Sequence, residues 1–352
     1  MPKSTPPLTT HIQSDPLHMR DRMPYLIRRN WLRRACCHFL ESRGYIEVET
    51  PYAVRTPGEE VHLFPFSTEY ETPTGTRHQL FLHTSPEFAM KRIVSATNLS
   101  IFQFARVWRN AENSPHHAAE FTMLEWYRPD IGLDDLMDET EALLQAILPP
   151  VLQYGSLSID LCHAFERLTI EEAFGQYAHC HDLLSTQGDA QKLAQAAHCN
   201  LREGENWEDL FFRLLLERVE PAIGRKRPTF LTHWPIEQAA LACKSPLDPR
   251  VALRFELYLA GIELANAFEE LTDSVEQRAR FEKDRMKRNN LYPHRPHWPI
   301  DNSLLTALPH MPRCSGIALG FDRLVMLACS TPRIQDTLWI NDTLTATTHD
   351  FS

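Results

Sequence analysis

The chain has 352 residues, 43% of them hydrophobic and 23% charged, enough to bury a sizeable core in one large domain or two ordinary ones. Its formal net charge of -10 argues against a broad nucleic-acid surface, which needs a basic stripe. No run is long and apolar enough to span a bilayer, and the scattered cysteines, with no C-x-x-C pair, suit free thiols in a reducing cytoplasm.

The N-terminal residues lack the apolar core of a signal peptide, and residues 1–23 read as a disordered lead-in. From Pro24 to Ser42 the spacing predicts a helix, with Leu26, Trp31, Leu32, Ala35, Cys36 and Phe39 on one face. Gly44 stops it, and "YIEVETP" alternates as a strand that Pro51 ends. Residues 80–84 form a short strand leading into "SPEFAMKRIVSA", a helix with Ser85 as N-cap and Pro86 at its first position. Residues 101–109 and 120–127 read as paired strands, and the long polar loop between them has the character of a functional loop.

An amphipathic helix follows in "LDDLMDETEALLQAIL". Residues 151–240 are less regular, with helices near 189–198 and 207–219. Cys162-His163, His179-Cys180-His181 and His198-Cys199 recur there, but their spacing matches no common zinc module. They read as buried thiols and surface imidazoles. Residues 254–271 fit a helix or two strands, and the turn-like Ala260-Gly261 favours strands. Asp273 and Glu276 open a charged helix with a capping-box pattern. "SGIALGFDRLVMLA" reads as a strand running into an apolar helix, and the tail after Ser330 as weakly ordered. There is no phosphate-binding P-loop motif and no G-x-S-x-G nucleophile elbow.

Strand parity gives the first functional hint. On 120–127, Phe121, Met123, Glu125 and Tyr127 share one face, while Thr122, Leu124 and Trp126 point to a core. On the partner strand Gln103, Ala105, Val107 and Arg109 share a face. Together they supply a floor for a flat base, a phosphate and an ammonium group. A half-exposed sheet with solvated charges, or an Arg109–Glu125 pair, explains the same pattern. A second acidic stretch holds Glu256, Glu263, Glu269 and Glu270 among apolar neighbours. Crowded carboxylates repel unless cations hold them. Hard oxygen ligands suit magnesium with phosphates. A spare carboxylate suits a substrate ammonium, a pair worth about 4 kcal/mol at roughly 4 Å and an effective dielectric near 20.

Three segments resemble the motifs of class II aminoacyl-tRNA synthetases: "GYIEVETP" motif 1, "VWRNAENSPHHAAEFTMLEWY" motif 2 and "GIALGFDRLVML" motif 3. "TSPEF" and "GIELANAFEELTD" resemble the lysyl subgroup. The resemblance covers residues 24–330 and implies an α+β fold, an antiparallel β-sheet flanked by helices, and a homodimer built through motif 1. Motif 1 starts almost at once, with no anticodon-reading domain before it. A free-standing lysyl-type core of this size is similar to the elongation factor P–(R)-β-lysine ligase family, and Ala318 supports that branch.

The resemblance implies ATP and Mg2+, (R)-β-lysine or lysine as substrate, and elongation factor P as acceptor, with tRNA disfavoured. It places Arg109 on the α-phosphate, Phe121 under adenine and Arg323 near the γ-phosphate. Asn110, Glu112, His117, Ala118, Leu264 and Gly320 join them at ATP, and Glu256 and Glu263 hold the metal. Ser85, Pro86 and Glu87 take the α-side of the amino acid. Glu125, Tyr127 and Glu270 take its distal ammonium, with Asn266 completing the site. Glu263 and Asn266 differ by an odd count, so both face the site only across a β-bulge.

The chain departs from the pattern at Ala111 (usually Glu), Ala118 (usually Asn) and Ala267 (usually Gly), and a loop Arg is replaced by Pro115 or His116. Two other readings stay open: a lysyl-type adenylating enzyme with another acceptor, and a non-catalytic lysine-binding paralogue.

Overall fold

The computed structural model describes residues 16–112 and 114–340. The first half runs α1 (Pro16–Glu41), β1 (Ile46–Glu47), β2 (Ala53–Val54), β3 (Phe66–Glu71), β4 (Arg77–Leu82), α2 (Glu87–Thr97), β5 (Ile101–Trp108), β6 (Glu120–Pro129) and α3 (Leu133–Ile147). Next come β7 (Val151–Tyr154), β8 (Leu157–Asp160), β9 (Glu166–Thr169), α4 (Ile170–Ala178), α5 (Ala190–Ala196), α6 (Trp207–Leu214) and β10 (Thr229–Pro235). The chain closes with β11 (Val251–Leu259), β12 (Ile262–Glu269), α7 (Ser274–Leu291), α8 (Asn302–Ala307), β13 (Cys314–Gly320) and α9 (Phe321–Ala328).

Eight strands form the central sheet in the order β1-β5-β6-β13-β12-β11-β10-β9. The six inner strands are antiparallel, and only the end strands, β1 on β5 and β9 on β10, pair in parallel. This is the α+β architecture expected. One face of the sheet carries the main core, where Leu124 and Trp126 of β6 and Leu257 of β11 pack against α1, α3 and α9. Helices α4 to α6 close a second core against Leu231 and Trp234 of β10, so the stretch 151–240 supplies two sheet strands besides its helices.

The ambiguous segment 254–271 is a hairpin. Ala260 and Gly261 both take positive φ (60° and 74°), the left-handed conformation a tight two-residue turn demands. At α2 the cap falls one residue later than expected, at Pro86, while Ser85 Oγ still accepts from the Glu87 amide (3.0 Å). At α7, Asp273 accepts from the Val275 and Glu276 amides, but the Glu276 carboxylate goes to Lys244 (2.8 Å) and Arg280 (2.7 Å), so no capping box closes.

The described residues at 16–23 and 331–340 are more ordered than composition suggests. The first helix begins at Pro16, so residues 16–23 belong to it and not to a disordered lead-in. Arg22 Nη1 donates to the Leu338 carbonyl (2.6 Å), and Ile334–Thr337 forms a short 3-10 turn beyond Ser330. Each segment has too weak a pattern to order alone, and each orders against the other. The expected disorder at 1–15 and 341–352 lies outside the described residues. Trp31 is exposed, at 46%, unlike Leu26, Leu32, Cys36 and Phe39, which are buried as read. Motif 1 contributes only the two-residue β1, and the strand expected at 80–84 is the end of β4, which pairs with an unexpected β3 in a hairpin. All eight cysteines are free. No helix among the described residues is long and apolar enough to cross a membrane.

One buried ion pair ties α1 to the sheet. Arg29 pairs with Asp322 at the start of α9 and donates to Thr122 Oγ1 (2.9 Å), while Asp322 Oδ2 accepts from the Thr122 amide (2.9 Å). Removing one partner leaves the other as an uncompensated buried charge. Arg29→Met is expected to lower unfolding free energy by about 3–5 kcal/mol. Urea denaturation followed by circular dichroism measures this, and a loss below about 1 kcal/mol contradicts it.

Candidate active site

The open face of the sheet is the floor of a cavity of about 380 Å³, within the size range of small-molecule sites. Register makes this floor. Glu125, Ala318, Asn266 and Glu256 stand in one row across β6, β13, β12 and β11. Two residues along, Tyr127, Gly316, Phe268 and Arg254 make the next row. In the other direction Met123 lies opposite Gly320, and Phe121 opposite Val107. The start of α2, residues 60–63, the β5–β6 loop and the start of α9 supply the walls.

A bulge on β12 settles the parity conflict between Glu263 and Asn266. Leu257 pairs with Ala265 but Tyr258 pairs with Glu263, so Leu264 is the extra residue. Glu263, Leu264 and Asn266 therefore all line the cavity.

At the end near the β5–β6 loop, Arg109 stands 5.2 Å from the Phe121 ring centroid, and its buried Nε has no partner. It does not pair with Glu125. Ala111 takes φ 70°, an uncommon conformation for a residue with a Cβ. Glu112, the next residue, lines the cavity, and its buried Oε2 has no partner. Glu112 thus brings a carboxylate to the cavity one position after Ala111. Burial, and then the charge of Arg323, push the His117 imidazole down to about 4, so it is neutral at pH 7. Its Nδ1 meets Ser114 Oγ (2.7 Å), and its Nε2 accepts from Arg323 Nη2 (2.6 Å). Arg323 Nη1 also donates to the Glu263 carbonyl (2.6 Å). Ala118 lines the cavity beside them. The loop is braced from behind, since the Pro115 carbonyl accepts from the Ile334 amide (2.8 Å).

The opposite end is acidic. Glu125, fully buried, accepts from Ser85 Oγ (2.7 Å) and Tyr127 OH (3.2 Å). Burial, and then the charge of Glu87, push its carboxyl up to about 8. Lys91 was not anticipated: its Nζ pairs with Glu87 and lies 2.5 Å from Glu270 Oε2. Burial opposes its charge, but Glu270 and Glu87 outweigh that and hold it protonated, above its usual range. The i, i+4 spacing of Glu87 and Lys91 on a helix was the available signal. Gly316 was also missed. An ideal Cβ there would stand 2.3 Å from Tyr127 Cε1 and 2.5 Å from Glu270 Oε1, so only glycine fits.

Three expected residues do not line the cavity. The Asn110 amide donates to the Phe64 carbonyl (2.6 Å), a β-bridge that holds Asn110 outside the cavity lining. Pro86 serves as the α2 cap. Glu270 lies behind the floor, against Lys91 and Gly316. Ala267 points into the main core, so its methyl group does not crowd the cavity. Glu120 pairs with Arg106 (3.6 Å) at the surface and does not line the cavity. Glu256 and Glu263 both reach the cavity, and burial above all, with Arg254 opposing and Glu263 adding, raises the Glu256 carboxyl. Glu256 is held by Arg254 and by Tyr258 OH (2.5 Å). Glu263 keeps an accessible carboxylate 3.4 Å from Arg323. Two hard-oxygen carboxylates of this kind fit a magnesium–phosphate group.

An antiparallel sheet floored by this arginine-and-carboxylate cavity defines a class II synthetase-type catalytic core. The chain belongs to the family of class II tRNA synthetases (D, K and N), whose model matches residues 16–341. It is 41% identical over 322 residues to the elongation factor P–(R)-β-lysine ligase of Klebsiella pneumoniae, covering 90% of this chain and 94% of that one. Ligases of the same name from Salmonella arizonae (42% over 325 residues, 90% and 94%) and Yersinia enterocolitica (42% over 321 residues, 88% and 94%) match equally well. The chain is accordingly an ATP-dependent ligase of this fold.

Two outcomes follow from the acidic end. A carboxyl raised to about 8 is protonated at pH 6 and must lose its proton to receive an ammonium ion. Affinity for a diamino acid is therefore expected to rise by up to about tenfold per unit between pH 6 and 7.5, then level above pH 8. Calorimetry in buffers of different ionisation enthalpy checks this through proton release at pH 7. Gly316→Ala is expected to reduce diamino-acid binding at least tenfold by displacing Tyr127 and Glu270, and equilibrium dialysis with labelled lysine reads the loss.

Proposed function

We propose that the chain adenylates (R)-β-lysine, or lysine, and transfers it to a lysine side chain of elongation factor P. The carrying observation is the polarity of one cavity. Arg109 stands at one end with a buried, unpartnered Nε, and Glu125 at the other, within a carboxylate cluster served by a single lysine. A diamino acid laid between them puts its carboxylate toward the guanidinium and its distal ammonium on Glu125.

In the first step the substrate carboxylate attacks the α-phosphate of ATP, and pyrophosphate leaves. Arg109 holds the α-phosphate and the attacking carboxylate together, and Arg323, braced by His117 and the Glu263 carbonyl, neutralises the leaving phosphates. Phe121 offers its ring to adenine, and Glu112, Ala118, Leu264 and Gly320 complete the nucleotide pocket, with Asn110 holding its wall. Ser85 and Tyr127 aim Glu125 at the distal ammonium, and Asn266 lies beside it. Glu87 and Glu270 are held by Lys91, and Pro86 fixes the helix that carries Glu87. Magnesium on Glu256 and Glu263 would screen the charge of the phosphates. In the second step the acceptor amine attacks the acyl carbonyl of the adenylate and AMP leaves. Positioning and charge neutralisation carry the catalysis, with no protein nucleophile.

A homodimer through motif 1 belongs to the same reading. Ile27 and Trp31 on α1, Ile46 on β1 and Tyr52 are exposed apolar residues in that region.

The test is amino-acid-dependent ATP–pyrophosphate exchange with lysine, (R)-β-lysine and uncharged amino acids, followed by intact mass of elongation factor P. Exchange is expected only with the diamino acids, and the acceptor should gain one residue's mass. Arg109→Met should cut exchange by about 10²–10³-fold. Absence of exchange with every diamino acid, in the presence of the acceptor, would overturn the reading.

A further inference from the structure

Glu256, the carboxylate placed toward the metal, and Asn266, the amide placed beside the amino acid, stand opposite each other on β11 and β12. One guanidinium holds both. Arg254 lies two residues before Glu256 on β11, so its side chain falls on the same cavity face. It pairs with Glu256 Oε1 through Nη2 and donates from Nε to Asn266 Oδ1 (3.1 Å). Its Nη1 donates to the Gln238 carbonyl, in the loop after β10. Its Cζ stands 4.1 Å from the ring centroid of Trp234, which is fully buried. All three nitrogens of Arg254 thus meet protein acceptors, and the side chain is only 11% exposed.

This fork decides which way the Asn266 amide faces. A guanidinium only donates, so the Asn266 oxygen is the atom turned to it, and the NH2 group is left for the cavity that Asn266 lines. An NH2 group meets an anion or a carbonyl and not an ammonium, so it serves the carboxylate of the amino acid. The same fork fixes Glu256. Arg254 takes a lone pair of one oxygen and Tyr258 OH (2.5 Å) a lone pair of the other. The remaining lone pairs stay open to a hard cation.

We propose that Arg254 is a positioning residue that joins the two halves of the cavity, turning the Asn266 amide to the substrate carboxylate and the Glu256 carboxylate to magnesium with one side chain. The inference rests on the functional reading above. It requires arginine and not merely a positive charge. A lysine ammonium is a point charge on a flexible stem and cannot hold Glu256, Asn266 and the Gln238 carbonyl at once in a fixed geometry.

The test reads the two halves separately, by calorimetric titration. One ligand is lysine or (R)-β-lysine. The other is α,β-methylene-ATP, titrated with and without Mn2+, so that the factor by which the metal tightens it is measured. Arg254→Lys is expected to weaken the diamino acid about tenfold or more and to remove most of the metal-dependent factor. Loss in one half alone, or in neither, overturns the assignment, as does a wild-type protein with no metal-dependent factor. A double-mutant cycle separates positioning from support of the fold. On an Asn266→Ala background, Arg254→Lys should weaken the diamino acid by less than about twofold more, and additive losses overturn the proposal. Asn266→Asp keeps an acceptor for Arg254 but exchanges the donor for an oxygen. It should weaken the diamino acid at least about tenfold, and wild-type affinity in that variant overturns the amide orientation and the proposal with it. That readout stands even where Arg254→Lys does not fold. Wild-type protein that binds no diamino acid overturns the functional reading first, and this inference with it.

Discussion

The structure is organised around a surplus of buried carboxyl groups over buried cations at one end of its cavity. Glu87, Glu125 and Glu270 are buried at one end of the cavity, and Lys91 is the cation placed among them. Ionised carboxylates out of water cost several kcal/mol each unless a cation or donors meet them. Much of the local architecture reads as a response to that cost. Helix α2 is capped so that Ser85 bridges its own first turn and Glu125, and Lys91 sits one turn later on the buried side. Gly316 leaves space for Tyr127 and Glu270 to approach across the sheet. What these devices leave unmatched is a cavity shaped for cationic groups.

The other end obeys the opposite logic. Arg109 and Arg323 face the cavity, and Glu263 is the carboxylate that reaches Arg323, at 3.4 Å. His117 is neutral and only orients Arg323, and the Glu263 carbonyl does the same from β12. Positive charge is thus placed toward an anion in a partly buried site, where it is worth more than at the surface. The bulge at Leu264 belongs to both ends, because it lets Glu263 and Asn266 face one cavity from a single strand.

Much of this was legible in the residues. Period-two alternation on β6 assigned Glu125 and Tyr127 to one face and Trp126 to the core, and the structure keeps that division. The odd count between Glu263 and Asn266 announced a bulge. The three departures from the family pattern at Ala111, Ala118 and Ala267 each have a definite place in the structure. Ala111 takes a positive φ beside Glu112, which lines the cavity, Ala267 faces the core, and Ala118 still lines the cavity. The miss at the ends has a single cause. Residues 16–23 and 331–340 are ordered by contact between segments more than 300 positions apart, and local pattern carries no trace of that.

Sequence by itself determined the strands and helices of the core, the faces they bury, and the residue types from which the site is made. Those follow from side-chain periodicity and backbone preference, which are local. Only the tertiary structure decided which charges answer which. It paired Lys91 with Glu87 and Glu270, turned Glu59 to Arg288, and left Glu60 facing the cavity. Ionic partnership depends on distance and burial across elements remote in the chain, and neither quantity exists until the sheet and helices have packed.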